Sequence, residues 1–173
     1  GRSGYNTYQQ ELNLKVLFLH GLESKPGGSK ARCLQNEGYE VLNPMLPRES
    51  FEGSIKIAQD LIDAEKPDLV VGSSRGGAVG MCVNTLGAPL ILIAPAWERF
   101  MNNQHMNEWA IRVEAQKTII LHSENDDVVL PHHSDALCVA HGIKRLNVGL
   151  GHRMSDREAL EALVDVTKWL TKK

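Results

Sequence analysis

Three short stretches of the 173-residue chain carry side chains able to do acyl-transfer chemistry. The first, Gly72-Ser73-Ser74-Arg75-Gly76, fits Gly-x-Ser-x-Gly with Ser74 at its centre. A serine hydroxyl is a weak nucleophile until a base takes its proton, and it must stand clear of the backbone to reach a carbonyl. A tight strand-to-helix turn lifts it. That turn leaves no space for side chains two positions before and after the serine, where Gly72 and Gly76 stand. Of the adjacent serines only Ser74 has glycine at both offsets, and Gly77 and Ala78 let the following helix approach the sheet. Taken alone, the pentapeptide serves equally well as a glycine-rich packing turn or a phosphate cradle.

The second stretch, NVGLGHRMSD, places His152 after a glycine and beyond the last apolar run, on a loop from which a ring can reach across to a serine as general base. His132, His133 and His141 lie on or beside the helix opened by Pro131 and read as solvated surface residues. The third, TIILHSENDDVVLP, offers a carboxylate to hold that imidazole in one tautomer. Asp126 and Asp127 both qualify. Asp126 is preferred, because it lies four residues past His122 and precedes the apolar pair Val128-Val129, which can anchor the loop. Glu124 and Asp127 read as surface or loop-capping groups and His122 as a strand-end residue. A tetrahedral oxyanion needs two N–H donors. Arg75, opening the helix, supplies one, and Leu22 in LFLHGLES supplies the other, with His20 holding loop backbone. The following KPGGSK lacks the Gly-Lys-Ser/Thr order of a phosphate loop.

Strands must deliver these groups to one edge. Short apolar runs recur at Val16–His20, Tyr39–Asn43, Asp68–Ser73, Pro89–Pro95, Thr118–Ser123 and Ile143–Gly149, several of them nearly continuous, as in strands covered on both faces. Helices are expected at Ser54–Glu65, at Gly76–Leu86, from Pro131 to Gly142, and after Ser155, whose spacing to Glu158 is a capping-box pattern. Alternating strands and helices imply a three-layer α/β sandwich, a mostly parallel sheet of about six strands with helices on both faces. Ligands bind such sheets beyond the carboxyl ends of the strands. The interval 96–117 reads two ways, as a helix packed on the sheet or as a small lid. With His20 it supplies the expected substrate pocket: Trp97, Met101 and Trp109. Residues 1–13 read as a tail, and 14–173 as one domain.

Composition narrows the partners. Nineteen basic and 21 acidic residues give a formal charge of −2, without the basic footprint of a nucleic-acid or anionic-membrane surface. The longest apolar run, Pro89–Trp97, is about half of the roughly 20 residues a membrane helix needs, and the amino terminus lacks a signal-peptide core, so a cytoplasmic chain is expected. Three widely spaced cysteines form no CxxC pair and read as buried thiols. No HExxH or similar ligand set appears, so neither a metal nor another cofactor is expected.

Through LFLHGLES, VVGSSRGG, ILIAPAW, HSENDDVV and GLGHR, from Lys15 to about Leu170, the chain resembles the α/β-hydrolase superfamily, specifically its compact esterase-like bacterial members with little or no cap domain. The order Ser74, Asp126, His152, each after its own strand, is the order of that arrangement. The resemblance implies Ser74 as nucleophile, Asp126 as acid, His152 as base, the N–H groups of Leu22 and Arg75 as oxyanion donors, and a small-molecule ester or thioester as substrate. Two positions depart from the pattern. Ser123 stands where relatives often have glycine, and a turn tolerates it. Arg75 stands where they often have a small or apolar residue, and is read as a solvated surface group, or else as a site for an acidic substrate.

Overall fold

The computed structural model describes residues 13–22, 26–101 and 111–172. Six parallel strands form one sheet in the order β2-β1-β3-β4-β5-β6, with β1 Lys15–Leu19, β2 Glu40–Leu42, β3 Leu69–Ser73, β4 Leu90–Ile93, β5 Thr118–His122 and β6 Lys144–Asn147. Each expected strand is present. Six α-helices accompany them among the described residues: α1 Ser29–Asn36, α2 Phe51–Glu65, α3 Arg75–Gly80, α4 Trp97–Met101, α5 Pro131–His141 and α6 Arg157–Leu170.

Side-chain alternation along the strands feeds two separate cores. Leu17 and Leu19 of β1, Val70 of β3 and Leu92 of β4 pack with α2, α3 and α5 through Ala58, Ile62, Ala78 and Leu137. Val16, Phe18, Val71, Ile91 and Ile93 point the other way, onto α1 and α6 through Leu34, Ala159 and Leu163. Strands buried on both faces explain the continuous apolar runs. The chain leaves β1 for β2 on one side and returns to β3 on the other. The loops after β1 and β3 therefore diverge at a switch point, where crevices open in such sheets.

Local boundaries differ from expectation in four places. Helix α1 was not anticipated, since Gly27-Gly28 just before it reads as loop. Helix α2 begins at Phe51 because the Ser50 hydroxyl caps it, accepting from Gly53 N at 2.8 Å. Helix α3 stops at Gly80 rather than Leu86, where the Gln59 side-chain amide exchanges two hydrogen bonds with the Asn84 backbone and holds it out of the helix. The cap of α6 is Asp156, which accepts from Ala159 N, whereas the Ser155 hydroxyl donates to Arg153 O. Within 96–117 the described parts are α4 and a 3-10 turn at Ala115–Lys117; Trp109 and residues 1–12 of the expected tail lie outside the described residues.

Candidate active site

Ser73 closes β3 in register with Ile93, and Ser74 then turns sharply, with φ 56° and ψ −115°. A side chain rarely adopts such a backbone without surrounding structure that enforces it. Here Ser74 N donates to Ile93 O at 2.8 Å, and Ser74 O accepts from Gly77 N, Ala78 N and Ala96 N. A Cβ on Gly72 would strike the Gly76 carbonyl and lie 2.8 Å from Gly77 Cα. One on Gly76 would strike the Leu19 carbonyl and lie 2.7 Å from His20 O. Both glycines are thus required by contact with backbone, which cannot yield.

His152 Nδ1 lies 2.8 Å from Asp126 Oδ2, and His152 Nε2 lies 3.0 Å from Ser74 Oγ. A carboxylate only accepts, so Nδ1 carries the proton and Nε2 is left to accept from the serine hydroxyl. Asp126 is buried, and burial alone would raise its pKa. Hydrogen bonds from His122, His152, Val129 N and Val128 N outweigh that effect and hold the carboxyl well below the usual carboxylate range. The loop bearing His152 is tied on three sides. Ser123 Oγ donates to Gly149 O at 2.8 Å, Asp156 Oδ1 accepts from Leu150 N, and Lys30 Nζ reaches Arg153 O. Ser123 is therefore more than a tolerated turn residue, since it couples the Asp126 loop to the His152 loop.

Ser74 opens onto a cleft of about 300 Å³ whose wall includes Leu22, Phe100, Val128 and Val129, with Glu98, Arg99 and His133 as its charged or polar members. No protein-family model and no curated protein sequence matches the chain. Solved structures do. An α/β-superfamily hydrolase, so described, from Xanthomonas campestris pv. campestris superposes with a TM-score of 0.72 at 19% identity, over 92% of this chain and 97% of that one. Est1E from Butyrivibrio proteoclasticus gives 0.72 at 15% identity, over 94% and 90%. A monoacylglycerol lipase from Paleococcus ferrophilus gives 0.65 at 14%, over 91% and 93%. The chain has the α/β-hydrolase fold.

On this α/β-hydrolase framework the sequence-derived trio Ser74, Asp126 and His152 comes together, while His20, Trp97 and Met101 of the expected pocket do not line the cleft. His20 is buried and bonds backbone at both nitrogens, Gly21 O at 2.8 Å and Leu46 N at 3.1 Å. Met101 belongs to the core beneath α4. Trp97 packs behind the wall, its Nε1 donating to His133 O at 3.0 Å. Helical periodicity put these residues inward, and inward is toward the sheet. The wall instead takes Phe100, and also His133, which pairs with Glu98 and is not the solvated histidine expected; no sequence signal marked it. Of the apolar pair after Asp126, only Val129 is buried as an anchor, and Val128 is exposed at the cleft.

Arg75 is the clearest correction. Its side chain is buried at 2% exposure, with Nη1 donating to Ser54 Oγ at 3.0 Å and Nη2 to Pro47 O at 2.8 Å. The guanidinium lies 5.7 Å from the Phe51 ring centre and 5.5 Å from that of Phe100. Burial lowers its pKa, and Glu49 partly opposes that. It faces away from solvent, into the junction of α2, α3 and α4. Among the described residues no three His, Cys, Asp or Glu side chains converge as metal ligands, and no helix is long and apolar enough to cross a membrane.

Proposed function

We propose that the protein is a serine hydrolase that cleaves a small carboxylic ester through an acyl-enzyme. The observation carrying this reading is the continuous relay from Asp126 through His152 to Ser74 at the mouth of an open cleft. As Ser74 Oγ attacks the carbonyl carbon, its proton passes to His152 Nε2, and Asp126 stabilises the imidazolium. The carbonyl oxygen becomes an oxyanion beside Ser74, where the N–H groups of Leu22 and Arg75 receive it. Leu22 lines the cleft with the serine, and Arg75 N is the first of α3, a position with no acceptor inside the helix. His152 then returns the proton to the leaving alcohol. Water then enters, gives a proton to His152 and attacks the acyl carbon; the bond to Ser74 Oγ breaks, Oγ takes the proton back from His152, and the acid leaves.

The ester class is supported by the likeness to a monoacylglycerol lipase. A cleft at the small end of ligand pockets favours short acyl chains. A fluorophosphonate probe should label the wild type and fail on Ser74→Ala; equal labelling of both refutes the assignment. A p-nitrophenyl ester series should peak at short chains. Asp126→Asn should lower kcat by about 10³- to 10⁴-fold, while Asp127→Asn, at an exposed position, should keep it. The reverse result moves the acid by one residue. A folded protein that neither labels nor turns over any member of the series would instead be a binding protein on this fold.

A further inference from the structure

The relay uses only one of the four hydrogen bonds that Asp126 accepts. Oδ1 takes Val128 N and Val129 N, each at 2.9 Å, and Oδ2 takes His152 Nδ1 and, at 3.0 Å, His122 Nε2. His122 ends β5 with no solvent exposure. Its Nε2 faces two groups that only accept, Asp126 Oδ2 and Val129 O at 2.9 Å, so the proton resides there. Its Nδ1 lies 2.6 Å from the hydroxyl of buried Ser134, which can donate. A neutral ring satisfies every contact, and no cation has to be buried.

We infer that His122 is a positioning residue, whose Nε2–H donates to Asp126 Oδ2 and fixes that oxygen for His152. The inference rests on the roles proposed above for Ser74 and His152. Without the His122 donor, the bond to His152 is the one hydrogen bond among the described residues that holds Oδ2. Other charged groups face the pair. From β6, Arg145 Nη2 lies 3.4 Å from His122 O, and its guanidinium is paired with Glu124 and with Asp135 of α5. Beside His152 stand Arg153 and, on the Arg153 carbonyl, Lys30 of α1. Arg145 meets the backbone of His122, and among the described residues Asp126 and Ser134 are the side-chain partners of the His122 ring.

The test is histidine nitrogen NMR on ¹⁵N-labelled full-length protein, wild type, His122→Leu and His122→Gln. Wild-type His122 should show the Nε2–H pattern of a neutral ring. The His152 Nδ1–H resonance should shift or broaden in His122→Leu and stay near wild type in His122→Gln, which restores a donor to Asp126 Oδ2. In ester turnover, His122→Leu should lower kcat about tenfold with KM unchanged, and His122→Gln should recover most of that loss. A wild-type His122 that carries its proton on Nδ1 overturns the inference; so does a folded His122→Leu with an unmoved His152 Nδ1–H resonance. Should His122→Leu not fold, Ser134→Ala decides, because it strips the partner of Nδ1. The two acceptors at Nε2 should still hold the proton there, and a spectrum that moves to the Nδ1–H pattern counts against the proposal. None of the NMR readouts needs turnover. An intact His122 pattern in a protein that the fluorophosphonate does not label would defeat the proposed hydrolase and leave the positioning of Asp126 standing.

Discussion

Replacing Arg75 separates a packing role from a substrate-binding one. The side chain makes two charge-assisted hydrogen bonds, at 3.0 Å and 2.8 Å, each worth about 1.5–3 kcal/mol, and lies against two aromatic rings. Against this stands the cost of burying a guanidinium whose Nε lacks a partner. Truncation to alanine leaves little unsatisfied, because Ser54 Oγ still bonds Pro47 O and Ser50 O. The low end of the range applies, and Arg75→Ala should destabilise by about 3 kcal/mol, which for a chain of this length is a fall in Tm of roughly 6–12 °C. Arg75→Lys keeps the charge but loses the planar fork and should fall between. Thermal unfolding by circular dichroism reads the first quantity. The ratio of kcat/KM for an acidic acyl ester over its neutral counterpart reads the second, and should not change. An unchanged Tm together with selective loss of the acidic ester would refute the packing role and return Arg75 to the substrate.

Asp126 also predicts acid behaviour. Its folded pKa lies below the ordinary unfolded value of about 3.9, so the stability it contributes is complete above that pH and is lost as pH falls further. Urea unfolding at a series of pH values should show Asp126→Asn less stable at neutral pH, with a shallower decline than wild type below about pH 4. At the elbow, Gly76→Ala drives a Cβ into the Leu19 and His20 carbonyls and should cost about 4 kcal/mol or leave no soluble protein, whereas Gly151→Ala, with open space around it, should match wild type in Tm.

What the sequence disclosed tracks how local each signal is. The strands were legible because burial on both faces leaves runs such as Leu90–Ile93 unbroken, and the elbow because a steric rule ties Gly72 and Gly76 to the residue between them. Asp126 and His152 could be selected by their place after β5 and β6. Arg75 could not, since its partners Pro47 and Ser54 precede it by 28 and 21 residues and nothing in VVGSSRGG announces them. His122 was seen as a strand end, and its i, i+4 spacing to Asp126 was visible, but a helix-like spacing means nothing without the loop that folds the carboxylate back. The cleft wall failed for a related reason. Large apolar residues at helical spacing mark the face toward the sheet, so Met101 went to the core and Phe100 to the cleft.

The elbow is bound to β4 on both sides of one bend, through Ser74 N to Ile93 O before it and Ala96 N to Ser74 O after it. The serine's position is thereby set by the sheet, and the chain beyond Ala96 hangs from a fixed post. The aim of the Ser74 hydroxyl is thus a joint property of β3 and β4, and a change that shifts one strand against the other would turn it, whatever the side chains around it.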